Sequence, residues 1–252
     1  MKYFLTALKF LTNLPMAKNL ELQEEMLAKS VKYFPLAGIL IGLFLAGINF
    51  LFSFIFPSIV VSAIILISLI WITRGLHLDG FMDTIDGLFG GSDKDERLRI
   101  MKDTQVGSFG VVAVVSLLLL KFALIFELSG QKLFPLILIL MPALSRWSMA
   151  LAMPFYSYPR EKGTGVFAKF VKKNDSLLAT IIMFVFAVGL LKLKGLILIF
   201  CAFIFTLLIT KLISRKIGGM TGDAYGALNE AVEVIILAAA YLVMSGNLNL
   251  YG

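Results

Sequence analysis

The most constraining feature of the sequence is an uncharged stretch at 33–73, which contains no Asp, Glu, Lys, Arg or His. One membrane-crossing helix needs about 20 mostly apolar residues, so this stretch is too long for a single span. Pro57 lies near its middle, between Phe56 and Ser58, and proline interrupts a helix. The stretch therefore predicts two membrane helices joined by a tight turn at Pro57.

Other apolar segments of similar character follow along the chain. Hydrophobic residues make up 59% of the sequence and charged residues only 15%, whereas a soluble domain carries about 25% charged residues. Five further spans are predicted at 104–126, 133–153, 176–191, 195–213 and 230–245. We therefore predict an all-α, polytopic integral membrane bundle of about seven transmembrane helices. It forms a single membrane-embedded domain over residues 1–252.

The first residues predict an amphipathic helix in the membrane interface. Phe4, Ala7, Leu8 and Leu11 follow the i, i+3, i+4, i+7 spacing of one helical face. Polar residues occupy the other face, as in helices that lie in the plane of the interface. We expect this helix to end at Pro15.

The distribution of positive charge predicts the orientation. With the amino terminus inside, most of the 23 Lys and Arg residues fall in inner segments, and the outer loops hold only Lys132, Lys192 and Lys194. Such a bias places the inner segments in the cytoplasm. It also explains the net charge of +7 without a nucleic-acid partner. The only cysteine, Cys201, excludes a disulfide framework and a cysteine metal site.

Three aspartates follow the long uncharged stretch directly. Asp79, Asp83 and Asp86 are spaced i, i+4, i+7, which places them within roughly 60° on a helix. No Lys or Arg lies between them, and all-oxygen ligand sets suit Mg²⁺ or Mn²⁺. Two other interpretations remain: a solvated helix end, and the sodium or proton site of a transporter.

A second acidic cluster lies in "GGMTGDAYGALNEAVE" at 218–233. Asp223, Glu230 and Glu233 fall within about 80° of one helical face, and a glycine-rich turn can offer backbone amides to phosphate. The orientation places both clusters on the same side of the membrane. The pattern therefore predicts six converging carboxylates that hold one or two divalent ions on a diphosphate.

Three other polar side chains stand out near these acids. Arg146 lies inside an apolar span, where a charge marks a function or a buried partner, and Arg160 lies in a glycine-containing loop. His77 is the only histidine, and it could act as a ligand, an acid–base group or a phosphate contact.

Two classes of function fit these features. The first is an enzyme in which ions held by carboxylates bridge a nucleotide diphosphate, an alcohol attacks, and a nucleoside monophosphate leaves. The second is a cation-coupled secondary transporter with an aspartate ion site, which is usually found near the bilayer midplane. Because the acids are predicted at membrane edges beside cytoplasmic loops, the enzyme is favoured.

The motifs "LHLDGFMDTIDG", "RIMKDTQVGSFG", "LSRWSMALAM", "YPREKGTG" and "GGMTGDAYGALNEAVE" closely resemble the cobalamin synthase family of adenosylcobinamide-GDP ribazoletransferases, over nearly the whole chain. The resemblance implies a multi-pass enzyme of the inner membrane with its active site on the cytoplasmic face. It implies transfer of adenosylcobinamide-GDP onto α-ribazole or its 5′-phosphate, with release of GMP and with Mg²⁺ (or Mn²⁺) as cofactor. The bilayer and these substrates are the expected partners, nucleic acid is not, and a homo-oligomer is left open.

The resemblance and the patterns above together define the expected site residues. The expected metal ligands are Asp79, Asp83, Asp86, Asp223, Glu230 and Glu233. The expected catalytic groups are Asp83, Asp86 and Glu230. The expected substrate-binding residues are Arg74, His77, Lys102, Asp103, Arg146, Arg160 and Thr221. The chain has Asn13, Lys102 and Gln105 where the family often has arginine. Bidentate contacts to phosphate, which arginine makes, are therefore less expected at those positions.

Overall fold

The computed structural model describes residues 1–14 and 22–244, and these residues form helices, turns and loops without any strand. The helices are α1 (Lys2–Leu11), α2 (Glu24–Ser30), α3 (Phe34–Phe52), α4 (Ser58–Ile72), α5 (Leu76–Gly90), α6 (Lys94–Ile100), α7 (Ser108–Leu128), α8 (Phe134–Ala152), α9 (Lys173–Leu191), α10 (Leu193–Ile217) and α11 (Gly222–Met244). Short 3-10 turns lie at Val31–Tyr33, Met153–Phe155 and Val166–Phe170. The predicted all-α architecture is confirmed.

Six helical segments of the described chain are long and apolar enough to cross a membrane: Glu24–Phe52, Ser108–Leu128, Phe134–Phe155, Lys173–Leu191, Leu193–Ile217 and Gly222–Met244. The predicted turn at Pro57 is also present, because this residue separates α3 from α4. Helix α4 reaches a spanning length only together with α5, from which it is bent by 86°. With this pair counted as one broken span the number is seven, as predicted.

The bend between α4 and α5 lies at two residues with positive φ angles, Arg74 (57°) and Gly75 (65°). Glycine adopts this left-handed conformation at little cost, whereas arginine rarely does. The Arg74 guanidinium donates to the carbonyl oxygens of Lys9 (3.3 Å) and Phe10 (3.2 Å) at the end of α1. These bonds hold the corner, so α5 packs against α7 and α11 instead of continuing along α4.

Helix α11 begins at Gly222 and not at the predicted Glu230. The reason is a side-chain cap: the Thr221 hydroxyl accepts a hydrogen bond from the Ala224 amide at 3.1 Å, which satisfies a free N–H of the first turn. The earlier start places all of the second acidic cluster on one helix. The predicted end of this span at Ser245 lies outside the described residues.

Helix α1 is amphipathic as predicted, but its apolar face is covered by protein. Ala7, Leu8 and Leu11 are buried, and α1 packs against α2 and α3. The helix ends at Leu11, and Pro15, where we expected the end, lies outside the described residues. Helix α1 packs in this way because α2 and α3 offer apolar surface to its apolar face. The position of α1 in the membrane interface stays a prediction.

Helix α8 forms the centre of the bundle. Most of its residues are buried, and its closest neighbour is α3. Gly38 and Gly42 of α3 lie directly against the backbone of Pro142 and Ile139, and a Cβ at either glycine would collide with that backbone. Small residues let membrane helices approach closely, since packing drives their association in lipid.

Large apolar side chains remain exposed on the outside of the bundle. Examples are Val112 (67%), Leu119 (64%), Val185 (66%) and Phe200 (63%). A soluble protein rarely exposes so much apolar surface in contiguous patches, whereas lipid tails cover it without cost. The protein is therefore a multi-pass membrane protein.

The segments predicted to be inner meet at one end of the bundle. Four contacts join them: Asn13 N to Ile72 O (2.7 Å), Met220 N to Ser157 O (2.9 Å), Arg97 Nη1 to Lys216 O (3.3 Å) and Lys32 Nζ to Asp175 Oδ1 (3.2 Å). We call this the loop end, defined by residues 91–107, 153–172 and 218–221. Its Lys and Arg residues agree with the predicted charge asymmetry.

Candidate active site

The candidate site lies at the loop end, where α5 crosses the beginning of α11. The two backbones approach closely because both helices carry glycine at the crossing. A Cβ added to Gly80 would lie 2.8 Å from the Cα and O atoms of Asp223, and one added to Gly226 would lie 3.1 Å from the carbonyl oxygen of His77. This crossing brings acids of the two predicted clusters together.

Three carboxylates share this crossing: Asp79 and Asp83 from α5, and Asp223 from α11. The charges of Asp79 and Asp223 both act on Asp83, and the charge of Asp79 also acts on Asp223. Arg160 opposes them and donates to Asp223 Oδ2 at 2.7 Å. With one guanidinium against three carboxylates, the group keeps an excess of negative charge that a bound cation would offset.

The three carboxylates differ in their solvent exposure and in their hydrogen bonds. Asp79 is exposed, while Asp83 and Asp223 are partly buried. No hydrogen bond joins the Asp83 carboxylate to any other described residue, whereas Asp223 is already bound by Arg160. Asp83 therefore has both carboxylate oxygens available for a ligand or a proton.

Asp86 points to the neighbouring helix α7. Its two carboxylate oxygens accept hydrogen bonds from the Gly107 amide (2.9 Å) and the Gly110 amide (2.8 Å). Each glycine is required there, because a Cβ at either position would collide with the Asp86 carboxylate. The side chain is buried and satisfies free amides at the start of α7. These contacts fix Asp86 against the start of α7, and its predicted catalytic and metal-binding roles stay predictions.

Glu230 and Glu233 form a separate, buried ionic network. Both carboxylates bind the Lys121 ammonium of α7, and Glu233 also binds Arg146 of α8. Asn229 donates to Glu233 at 3.2 Å. Two acids and two cations balance in charge, as buried ions require.

Asp79, Asp83 and Asp223 meet at the crossing, and the charge of Asp86 also acts on Asp83. Asp86, Glu230 and Glu233 have partners on other helices, so the expected convergence of six carboxylates stays a prediction. The predicted roles of Glu230 and Glu233 as metal ligands, and of Glu230 in catalysis, are not supported by this geometry, because Lys121 and the Arg146 guanidinium already occupy their oxygens.

His77 and Arg146 connect this network to the site. Arg146 is fully buried, and its Nη2 lies 3.3 Å from His77 Nδ1. A guanidinium can only donate, so a neutral His77 in this contact carries its proton on Nε2. Arg146 has the buried partner that its position in an apolar span led us to expect, because it binds Glu233.

The other predicted substrate-binding residues have mainly structural contacts. Arg74 holds the α4–α5 corner, and Thr221 caps α11 and lies 3.5 Å from Asp223 Oδ2. Lys102 and Asp103 are exposed in the connection between α6 and α7, where Asp103 accepts from the Gln105 amide at 3.0 Å. Substrate binding by these residues stays a prediction.

The loop before the Val166–Phe170 turn closes the site from outside. Gly165 lies against Gly222, where an added Cβ would be 2.7 Å from the Gly222 backbone. Lys169 donates to the Arg160 carbonyl at 3.1 Å and stands over the Tyr158 ring. Burial raises the pKa of the Tyr158 hydroxyl, so this group stays protonated. The loop thus holds the Arg160 backbone in place beside Asp223.

A cavity of about 180 Å³ opens beside the three acids. Asp79, Asp223 and His77 supply its polar wall, and residues of α8 and of the loop also line it. A concave, largely apolar pocket with a few polar groups is the usual form of a small-molecule site. The cavity is therefore part of the candidate site.

Within the described residues, no group of three or more His, Cys, Asp or Glu side chains stands in an arrangement that could hold a metal ion. The chemistry of the donors still suits a hard cation, since Asp79, Asp83 and Asp223 offer only oxygen. The metal site therefore stays a prediction, now restricted to these three residues.

Sequence reasoning missed the role of Lys121. This residue is fully buried between two glutamates, and it is the only charged residue of α7 before Glu127. The available signal was a single cation within an apolar span, which usually marks a buried acidic partner. The same signal singled out Arg146.

Comparison with known proteins gives a consistent result. A family model described as Cobalamin-5-phosphate synthase matches residues 3–241. A protein of Desulforamulus reducens is 40% identical over 95% of this chain and 95% of its own length. Proteins of Clostridium novyi (36%; 95% of this chain, 96% of the relative) and Fusobacterium nucleatum (34%; 94% and 96%) are also similar. All three relatives are named adenosylcobinamide-GDP ribazoletransferase. No solved structure matches the chain.

Proposed function

The chain belongs to the cobalamin-5-phosphate synthase family, and on that premise we propose that it is an adenosylcobinamide-GDP ribazoletransferase. It joins adenosylcobinamide-GDP to α-ribazole or α-ribazole 5′-phosphate and releases GMP. The products are adenosylcobalamin or its 5′-phosphate. This is the reaction named for the relatives, which align with nearly the full chain.

The observation that carries this proposal is the crossing of α5 and α11. It places Asp79, Asp83 and Asp223 beside Arg160 and next to a cavity, at the loop end where a large polar substrate has access. The acids deeper in the bundle are neutralised by Lys121 and Arg146. Nothing in the described residues favours the cation-coupled transporter, whose site would lie near the midplane.

The proposed cofactor is Mg²⁺, with Mn²⁺ as a substitute. Asp79, Asp83 and Asp223 would hold it, because three carboxylates and one guanidinium leave a negative charge that repels a diphosphate. When bound, the ion neutralises the phosphate oxygens of the donor. Asp86, Glu230 and Glu233 stay outside this ligand set, since their oxygens are already engaged.

The proposed transfer moves one phosphoryl group. An oxygen of an acceptor ribose hydroxyl forms a bond to the phosphorus that carries the cobinamide. The bond from that phosphorus to the bridging oxygen breaks, and GMP leaves with this oxygen. The hydroxyl proton passes to a carboxylate, for which Asp83 is the available candidate. Arg160 stabilises the negative charge that develops on the phosphoryl oxygens.

We further propose that the loop end faces the cytoplasm and that the protein resides in the inner membrane. The support is the charge distribution: the inner segments, which meet at this end, together carry most of the Lys and Arg residues, and the outer loops carry Lys132, Lys192 and Lys194. A homo-oligomer stays a prediction.

This orientation can be tested by cysteine labelling. In a Cys201→Ala background, Ser92→Cys and Gly130→Cys place thiols at exposed positions on opposite ends. An impermeant thiol reagent added to intact spheroplasts should label position 130 and leave position 92 unlabelled until the cells are lysed. The reverse pattern would overturn the orientation. The same orientation predicts that Met220 faces the cytoplasm and that the C-terminus faces outward. Met220 is buried and therefore less suited to labelling, and the C-terminus lies outside the described residues.

The reaction itself can be tested with purified protein. With Mg²⁺, adenosylcobinamide-GDP and α-ribazole 5′-phosphate, GMP and the cobalamin phosphate should form in equal amounts. EDTA should stop both, because the carboxylates alone repel the diphosphate, and excess Mg²⁺ should restore them. GMP formed without acceptor would indicate a hydrolase. The absence of both products from folded, Mg²⁺-supplied protein would refute the assignment.

A further inference from the structure

The cavity beside the acids has a wall that the proposed reaction does not explain. Five of the side chains that line it are apolar: Phe10 of α1, Leu76 of α5, Met149 of α8, Met153 just after α8, and Phe167. Met149, Met153 and Phe167 are themselves buried, with exposed fractions of 2–3%. No Lys or Arg side chain contributes to the wall.

We infer that this cavity binds the flat heteroaromatic base of the acceptor. The inference rests on the proposed function, which supplies the acceptor, and it adds the location of that acceptor and the residues that select its base. Ribazole is a riboside of a dimethylated benzimidazole, a flat and mostly apolar ring system. Aromatic edges and methionine sulfur pack well against such a ring.

The other parts of the two substrates suit the cavity less well. A corrinoid ring is much too large for a space of about 180 Å³. A phosphate in the cavity would be repelled by Asp79 and Asp223, and no Lys or Arg side chain lines the cavity to offset their charges. Guanine carries several donors and acceptors on its edges, and those that meet the apolar side chains of the lining would stay unpaired, whereas a mostly apolar base has few such groups.

The polar wall fits the same base. His77 lines the cavity and its Nδ1 faces the Arg146 guanidinium, so its Nε2–H remains as a hydrogen-bond donor. The hydroxyls of Thr164 and Tyr225 also belong to lining residues, and the Tyr225 hydroxyl is buried without a partner. The benzimidazole of a riboside has one ring nitrogen free to accept a hydrogen bond from such a donor.

The position of the cavity also fits the place where the acceptor hydroxyl must meet the donor phosphoryl group. Asp79 and Asp223 belong to its lining, and the charges of both act on Asp83. A base held against Met149 and Phe167 would place its attached ribose at the mouth of the cavity, beside the acids. The ribose hydroxyl would then meet the phosphoryl group of a donor that approaches from the loop end.

Met153→Phe tests this inference by filling the cavity with a larger, rigid side chain. The KM for α-ribazole 5′-phosphate should rise roughly tenfold or more, while the KM for adenosylcobinamide-GDP stays within about twofold, because only the acceptor base loses its space. The KM for an acceptor analogue that lacks the two methyl groups should rise less than the KM for the natural acceptor. Met26→Phe is the matched control, since Met26 is partly buried in α2 and does not line the cavity.

Phe10→Leu serves as a second variant in case Met153→Phe does not fold. It replaces an aromatic side chain of the cavity wall with a smaller aliphatic one. It should also raise the KM for the acceptor selectively. A selective rise in the KM for the donor would assign the cavity to guanine and overturn the inference. Unchanged KM values for both substrates in folded variants would overturn it as well. A failure of the proposed function is distinguishable, because the wild-type protein would then form no cobalamin product.

Discussion

Asp83→Asn is expected to lower the rate of GMP release by about 100-fold or more, the usual scale for the loss of a charged group that acts in the transition state. The Asp83 carboxylate is partly buried beside Asp79 and Asp223 and has no hydrogen bond to another described residue. Asparagine keeps its shape but loses the negative charge, so it would hold Mg²⁺ less well and could not accept the hydroxyl proton. The rate is measured with purified protein at saturating Mg²⁺ and both substrates.

The protein should still fold, because removing one of three neighbouring negative charges relieves repulsion. Asp95→Asn is the matched control: Asp95 is exposed in α6, and its replacement should leave the rate unchanged. Asp79→Asn and Asp223→Asn should resemble Asp83→Asn, whereas Asp95→Asn should not. Near-normal activity of a folded Asp83→Asn protein would show that the transfer does not depend on this carboxylate.

Lys121→Met is expected to destabilise the protein by about 3–5 kcal/mol, the usual cost of breaking a buried ion pair by removing one partner. Lys121 is fully buried and binds both Glu230 and Glu233. Without its ammonium, only Arg146 remains to balance two buried carboxylates. Stability is measured as the unfolding midpoint of the detergent-solubilised protein.

A second substitution should recover most of this loss. In Lys121→Met/Glu230→Gln, one negative charge is removed with the positive one, and the pair of Arg146 and Glu233 remains balanced. Lys132→Met is the control, because Lys132 is exposed in the turn between α7 and α8 and its loss should change little. If the single and double variants were equally unstable, charge balance would not be what stabilises the network.

Asp86 shows that helical periodicity predicts the face on which a residue lies but not the side chains and backbone that surround it. Helical spacing places Asp79, Asp83 and Asp86 on one face, and the three do lie on α5. Yet Asp79 is exposed while Asp86 is buried against the amides of Gly107 and Gly110. The spacing describes a helix in isolation, and the surroundings of each residue depend on which neighbouring helix it meets.

Glu230 and Glu233 show the same for partners that are distant in the sequence. Their sequence context, a glycine-rich acidic segment, resembles a ligand-binding turn. Their actual partners, Lys121 and Arg146, are distant in sequence and reach them through packing of α7 and α8 against α11. A charge in a span indicates that a partner exists, but the sequence does not identify that partner.

The sequence by itself determined the membrane spans, the break at Pro57, the basic loops at one end and the location of the acids, because hydropathy and helical period are local properties of the chain. Tertiary structure alone decided which acids meet. The 86° bend at Arg74 and Gly75 directs α5 across α11, and the glycine contacts there bring Asp223 to Asp79 and Asp83. It also formed the cavity, since its lining residues come from five separate parts of the chain. Charge pairing and close packing act between helices, so their result appears only once the helices are assembled.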